Sequence, residues 1–355
     1  MDVLHKSFYR VDVDGQKVSK RDTNDNFDEF ISSLISFVSK DSHTRSYKEQ
    51  DSNTQVIAAI LKQIDLVFKS KHTPEDLEKE CLSIAKRLLK IETDTQESID
   101  KLGQKVRKGS LLSALLREGN TFTFILSKVN YTKFIDDDDL VAKLGFPEET
   151  QKIWKTAVFV ISFEKNNISI KKISVYLDKA VKYWCNDFLE IDPLKTDESN
   201  THEAFKGMQQ ILRKRIQPNS QSDYLHLSNS VVGYMRKGGL IDYPTMIDDI
   251  FERYIPINME DKKYKDTVKA LRNLPSDKKF DEQFYSIPDQ VKKGMKKKYN
   301  VALGIELNIL DQINLDIIES YQDNDGKKYI KIETTDDDTY EAFYKPKIMN
   351  EIDDL

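Results

Sequence analysis

The chain carries only two cysteines in 355 residues, Cys81 and Cys185, in separate predicted helices. That scarcity excludes a disulfide scaffold and suits free thiols in a reducing cytoplasm. No apolar run approaches the roughly 18 residues that a membrane-spanning helix needs, so no membrane partner is expected. The opening Met1-Asp2-Val3-Leu4-His5-Lys6 lacks the basic-then-apolar order of a secretory signal. The five histidines (His5, His43, His72, His202, His226) lie far apart, and none has a ligand-spaced Cys or His partner. There is no phosphate loop or dinucleotide fingerprint; Gly238-Gly239 alone reads as a turn. No cofactor or metal is therefore expected. An excess of positive charge is missing too: 55 Lys+Arg stand against 60 Asp+Glu, a formal net charge of -5. A nucleic-acid site must then be a local patch, because phosphate contacts answer to local potential rather than net charge.

What is present is a folding composition: 39% hydrophobic residues, including 17 Phe and 16 Tyr, in a chain long enough for two or three domains. Ser7 to Val13 reads as a strand entering an Asp14-Gly15 turn. From Asn26 to about Lys90 the pattern is helical, with Phe27, Phe30, Ile31, Leu34, Ile35 and Val38, then Ile57, Ile60, Leu61, Ile64 and Phe68. Thr73-Pro74-Glu75-Asp76 has the spacing of a capping box, followed by a face of Leu77, Cys81, Ile84, Ala85, Leu88 and Leu89. Two hairpins follow: Gly109 to Glu118 with Thr121 to Val129, and Trp154 to Phe163 with Ile168 to Leu177. Helices are then expected, first along Ala180, Val181, Trp184, Phe188 and Leu189, and next over 200–216, 224–236, 244–254 and 260–273. Strands at 315–318, 329–333 and 340–344 close the chain. The fold class is α+β, a central antiparallel sheet flanked by helical regions, with a strand-rich tail. The expected division is 1–108, 109–217 and 218–355.

The middle segment resembles the bacterial nucleoid-associated protein family of the 37-kDa type. The likeness runs through Leu115-Leu116-Arg117-Glu118, Thr123 to Val129, Phe134-Ile135-Asp136-Asp137 and Trp154-Lys155-Thr156-Ala157. It is densest at Tyr176-Leu177-Asp178, Ala180 to Leu189 and Asn200-Thr201, so it covers about 110 to 216. The resemblance implies a cytoplasmic, nucleoid-associated bacterial protein with no enzymatic activity. It supplies no catalytic or DNA-contact motif to carry over.

Candidate catalytic groups have simpler roles in the sequence. Asp136 to Asp139 suits a divalent cation but also a solvated helix start before Leu140. Asp336-Asp337-Asp338 reads as a turn between strands. Cys185 reads as a core thiol, and Thr201-His202-Glu203 as a helix N-terminus capped by Thr201 or Asn200. Phe163-Glu164-Lys165 has the wrong spacing for a metal-dependent nuclease. The remaining candidates are basic. Lys101, Lys105, Arg107 and Lys108 form one patch, with Gly103 and Gly109 leaving the backbone open to a phosphate. Lys292, Lys293, Lys296, Lys297 and Lys298 form a second, denser one. Arg213, Lys214 and Arg215 are a weaker third, since cations also suit the end of a helix.

With no recognition helix or zinc finger in view, the expected function is DNA binding through phosphates, with little base readout. A homodimer would double the basic patches. The alternative is a protein-interaction subunit or phage-defence component that recognises a protein partner, which suits the net acidity and the acidic tail Glu351, Asp353 and Asp354. A metal-dependent nuclease comes third.

Overall fold

The computed structural model describes residues 2–22, 29, 43–70, 73–106, 108–130, 132–135, 142–145, 155–164, 167–178, 181–291, 297–309 and 317–344. The chain divides into two compact units, Met1–Val291 and Lys292–Leu355.

The first unit is organised by two long hairpins. β4 (Gly109–Glu118) turns into β5 (Thr121–Asn130) at Gly119, whose φ of +61° suits glycine at the first central position of a two-residue loop. β8 (Lys155–Glu164) returns as β9 (Asn167–Leu177), with a register shift between Val160 and Ile161. The hairpins join through β5 and β8, which set Phe124 opposite Phe159 and Leu126 opposite Ala157. Four further strands widen the sheet: β1 (Asp2–Asp12), β2 (Lys17–Lys20), β3 (Arg45–Glu49) and β10 (Ile191–Pro193). The order is β10-β3-β9-β8-β5-β4-β1-β2, antiparallel throughout. The fold class is thus α+β, and the first hundred residues contribute strands to the sheet.

One face of the sheet is covered by α1 (Gln55–Phe68) and α2 (Pro74–Ile99). Thr73 caps α2 by accepting from the Asp76 amide, while the Asp76 carboxylate accepts from the Thr73 amide. The expected capping box is therefore present. Val56, Ile57, Ile60, Ile64, Cys81, Ile84 and Leu88 pack with Leu111, Leu115, Phe124, Leu126 and Phe159 in one core. Burying each such large side chain is worth about 1.5–3 kcal/mol. Leu112, Ala114, Leu116, Ile125 and Val129 are buried as well. This explains why β4 and β5 read as nearly continuous apolar runs instead of clean alternation.

A second layer follows α3 (Trp184–Leu189), a turn of wide i to i+5 helix with Trp184 and Phe188 inward. It comprises α4 (Asp197–Ile211, widening to Ile216), α5 (Gln221–Arg236), α6 (Tyr243–Ile247), α7 (Asp261–Arg272) and α8 (Leu274–Lys278). β11 (Gly239–Asp242) pairs with β12 (Gln283–Ser286) beside these helices. Gln283 ties this layer to the sheet: its side chain accepts from the Leu177 amide at 3.0 Å and donates to the Leu177 carbonyl at 2.9 Å. The same amide donates to Asp242, which also holds His43 Nδ1 at 2.8 Å. A short hairpin, β6 (Thr132–Ile135) with β7 (Ala142–Gly145), stands apart from the main sheet. Asp136 to Asp139, between those strands, lie outside the described residues, as does the apolar series Phe30 to Val38.

The second unit holds two hairpins, β13 (Lys297–Ala302) with β14 (Ile305–Ile309) and β15 (Ile318–Gln322) with β16 (Lys328–Ile332), then α9 (Asp337–Phe343).

Three expectations need correction. The stretch from Asn26 to Lys90 is not uniformly helical: β3 interrupts it, because Arg45-Ser46-Tyr47 gains ladder partners on β9 that no local pattern reveals. Tyr340 to Phe343 are helical, not a strand; Asp336 caps α9 by accepting from the Thr339 amide, so the three aspartates open a helix rather than turn between strands. α4 begins at Asp197 with Thr196 as its cap, leaving Asn200 and Thr201 buried inside it.

Candidate nucleic-acid interface

The first basic patch grows out of the end of α2. After Ile99 the chain tightens into a single 3-10 turn, and Gly103 closes it at φ +65° with open space where a side chain would stand. Gln96 then pins the connection: its side chain donates to the Gln104 carbonyl at 3.1 Å and accepts from the Val106 amide at 2.6 Å. Lys101, Lys105 and Lys108 are exposed along this pinned segment. Lys108 reaches back to Asp14 in the β1–β2 turn at 2.5 Å. That hydrogen bond and its charge hold the Asp14 carboxyl below its ordinary range, with Lys105 adding to the pull, and raise the Lys108 ammonium. Lys105 and Lys108 are therefore brought together around Asp14. Arg107 lies outside the described residues.

Arg10 is the residue that sequence reasoning missed. It points away from the core between buried Tyr9 and Val11, pairs with Asp12 at 3.5 Å, and its charge is felt at Lys108. The alternation of Tyr9, Arg10 and Val11 marks it as outward-facing. Its meeting with Lys108, some hundred positions on, depends on β1 lying beside β4. Gly109 is a correction in the other direction: it is buried and paired with both Val11 and Asn130, so its backbone is closed to a ligand.

The other patches are placed differently. Lys292, Lys293 and Lys296 lie outside the described residues, while Lys297 and Lys298 open β13 opposite Ile309 and Asn308. Arg213 donates to the Tyr224 hydroxyl at 3.4 Å and Arg215 to the Asp266 carbonyl at 3.3 Å. These two side chains brace the wide end of α4 against α5 and α7. Lys214 is exposed beside them.

Several buried groups elsewhere are engaged in the packing of the core. Burial pushes the Cys81 thiol up to about 12 and the Cys185 thiol up to about 11, far from reactive thiolates. Asn200 donates to Asp281 at 3.0 Å, and Thr201 accepts from the Ile287 amide at 3.1 Å, so both brace β12. Glu92 on α2 pairs with Lys128 on β5, each side chain 1% exposed. Tyr183 donates to Glu92 at 3.0 Å and accepts from Lys155 at 2.6 Å, and burial pushes its phenol up. Glu92 and Lys128 are buried in this cluster, and Tyr183 is partly exposed at its margin. Among the described residues, no group of three or more His, Cys, Asp and Glu is placed to hold a metal ion. No helix there is long and apolar enough to cross a membrane. No protein-family model matches the chain, and no curated protein matches it.

Proposed function

We propose that this chain is a non-enzymatic protein of the nucleoid-associated type that binds DNA through backbone phosphates, with little base readout. The observation that carries the reading is the pinned, exposed connection of Lys101, Lys105 and Lys108, joined from β1 by Arg10. The Asp14–Lys108 pair is exposed on both sides, and such a pair contributes little in water. A phosphate can therefore take the place of Asp14, and release of DNA counterions drives the exchange.

The test is a titration of two unrelated duplexes at several salt concentrations, with wild type and a K101E/K105E/K108E variant. Log affinity is expected to fall with log salt by about 0.9 per phosphate contacted, equally for both duplexes, and the variant to lose slope accordingly. A salt-independent or strongly sequence-selective association would refute the mechanism. Changing Lys292, Lys293, Lys296, Lys297 and Lys298 to Glu assigns the second patch its share. A second reading, recognition of a protein partner, rests on its own observation. Of the fifteen large hydrophobic side chains exposed among the described residues, ten lie within 292–355.

A further inference from the structure

We propose that a lysine-lined recess at the edge of the main sheet binds a phosphate group, at a site independent of the DNA reading. The recess has a volume of about 480 Å³, within the range of small-ligand sites. Segments far apart in the chain build it. Ser46 comes from β3, Lys172 from β9, Lys195 from the link between β10 and α4, and Lys279 with Asp281 from the link between α8 and β12. Phe280, buried at 4% exposure, closes one wall.

Three ammonium groups meet two carboxylates here, and geometry decides which are available. Asp281 is turned inward: one oxygen accepts from the Ser46 amide at 3.3 Å and the other from Asn200 at 3.0 Å. Glu282 accepts from the His43 amide at 2.7 Å. Lys195 Nζ stands 3.8 Å from Asp281, inside Coulombic reach but beyond a hydrogen bond, so its donors remain for another acceptor. Its position is set from below, because the buried Arg45 guanidinium donates to the Lys195 carbonyl at 2.9 Å while pairing with Asp197 at 2.8 Å. Lys279 is held in the left-handed region at φ +55° as the residue that ends α8. A lysine pays for that conformation where glycine would not, which is the kind of local cost that persists at working sites.

The ligand class follows from the donors. Lysine ammonium groups bind phosphate as point charges, and Lys195 and Lys279, with the added positive field of Lys172, line this recess. The phosphate can belong to a small molecule or to the end of a nucleic-acid strand, and the test separates them.

Inorganic phosphate is titrated calorimetrically against the full chain at constant ionic strength. Variants are K195Q/K279Q, K172Q and, as a control outside the recess, K278Q, with circular dichroism to confirm folding. Saturable binding is expected in wild type and K278Q, weakened about tenfold or more by K195Q/K279Q and in the same direction by K172Q. Binding must also persist in K101E/K105E/K108E, which separates this site from the DNA contact. Displacement of the anion by a 5′-phosphorylated duplex, but not by its unphosphorylated counterpart, assigns the phosphate to a strand end; displacement by neither assigns it to a small molecule. No saturable binding in wild type at about 10 mM phosphate, or equal affinity in K195Q/K279Q, overturns the proposal.

Discussion

Residues 1–291 enclose Trp184, Tyr224, Phe124 and Phe159 completely, whereas no described residue of 292–355 is buried. The first unit is held by a core in which strands distant in sequence share helices. In the second, the strand pairing among the described residues is local to each hairpin. In β15–β16 a turn over Asp323 to Gly326, with Gly326 at φ +81°, sets a register that stacks Tyr321 on Tyr329 with ring centroids 4.8 Å apart. Two-stranded ribbons of this kind are marginal in water without a covering layer. Stability and surface chemistry are thus unevenly distributed. The large unit has apolar area to spare for buried charge and for a lysine held at positive φ, while the small one displays its apolar side chains.

The comparison can be broken most forcefully at the buried ion pair. Glu92→Ala strips the carboxylate from a lysine that is 1% exposed, and should cost about 3–5 kcal/mol in denaturant unfolding. A loss under about 1 kcal/mol would mean that the interior is wetter than its packing implies. Next in size is the α2 cap: Thr73→Ala should cost about 1 kcal/mol, measured the same way.

The His43–Asp242 tie is expected to be worth less, because both side chains are partly exposed. The bond to Asp242 raises His43 despite burial. Burial pushes Asp242 up, but bonds from His43, Thr245 and Gln283 outweigh it and hold it low. His43 therefore contributes fully below its ordinary 6.5 and loses this as pH rises through its higher folded value. Asp242 contributes fully above its ordinary 3.8 and loses it in stronger acid. The tie should be greatest between about pH 4 and 6.5. His43→Asn should flatten the fall in melting temperature above that window; an unchanged profile would remove the pair from the account. Smallest is Tyr329→Ala, worth a few tenths of a kcal/mol as one cross-strand pair. It should be visible as faster amide exchange confined to β15 and β16. Equal protection of β5 and β16 in the wild type would erase the distinction between the units.

The legible parts of this molecule are those whose causes lie within a few residues. Glu118-Gly119-Asn120 marks the first hairpin and Glu164 to Asn167 the second, because turn chemistry and strand length act locally. Thr73 and Asp76 mark a helix start for the same reason. In Tyr340 to Tyr344 the aromatics recur at three- and four-residue spacing, and Asp336, four residues before Tyr340, caps the turn, so local chemistry favours the helix over the expected strand. The exposed Lys101, Lys105 and Lys108 were legible as a basic run, but their convergence on Asp14 beside Arg10 was not.

The sequence by itself determined the two long hairpins of the main sheet, the capped helix, the α+β class and the local basic run. Only the tertiary structure decided that β1 lies beside β4, that β3 enters the sheet between β9 and β10, and that Lys172, Lys195 and Lys279 face one recess. Turns and caps are set by dihedral preferences and hydrogen bonds over three or four residues. Strand order and convergent side chains are set by burying apolar faces against partners a hundred or more residues away, and no short-range pattern encodes that choice.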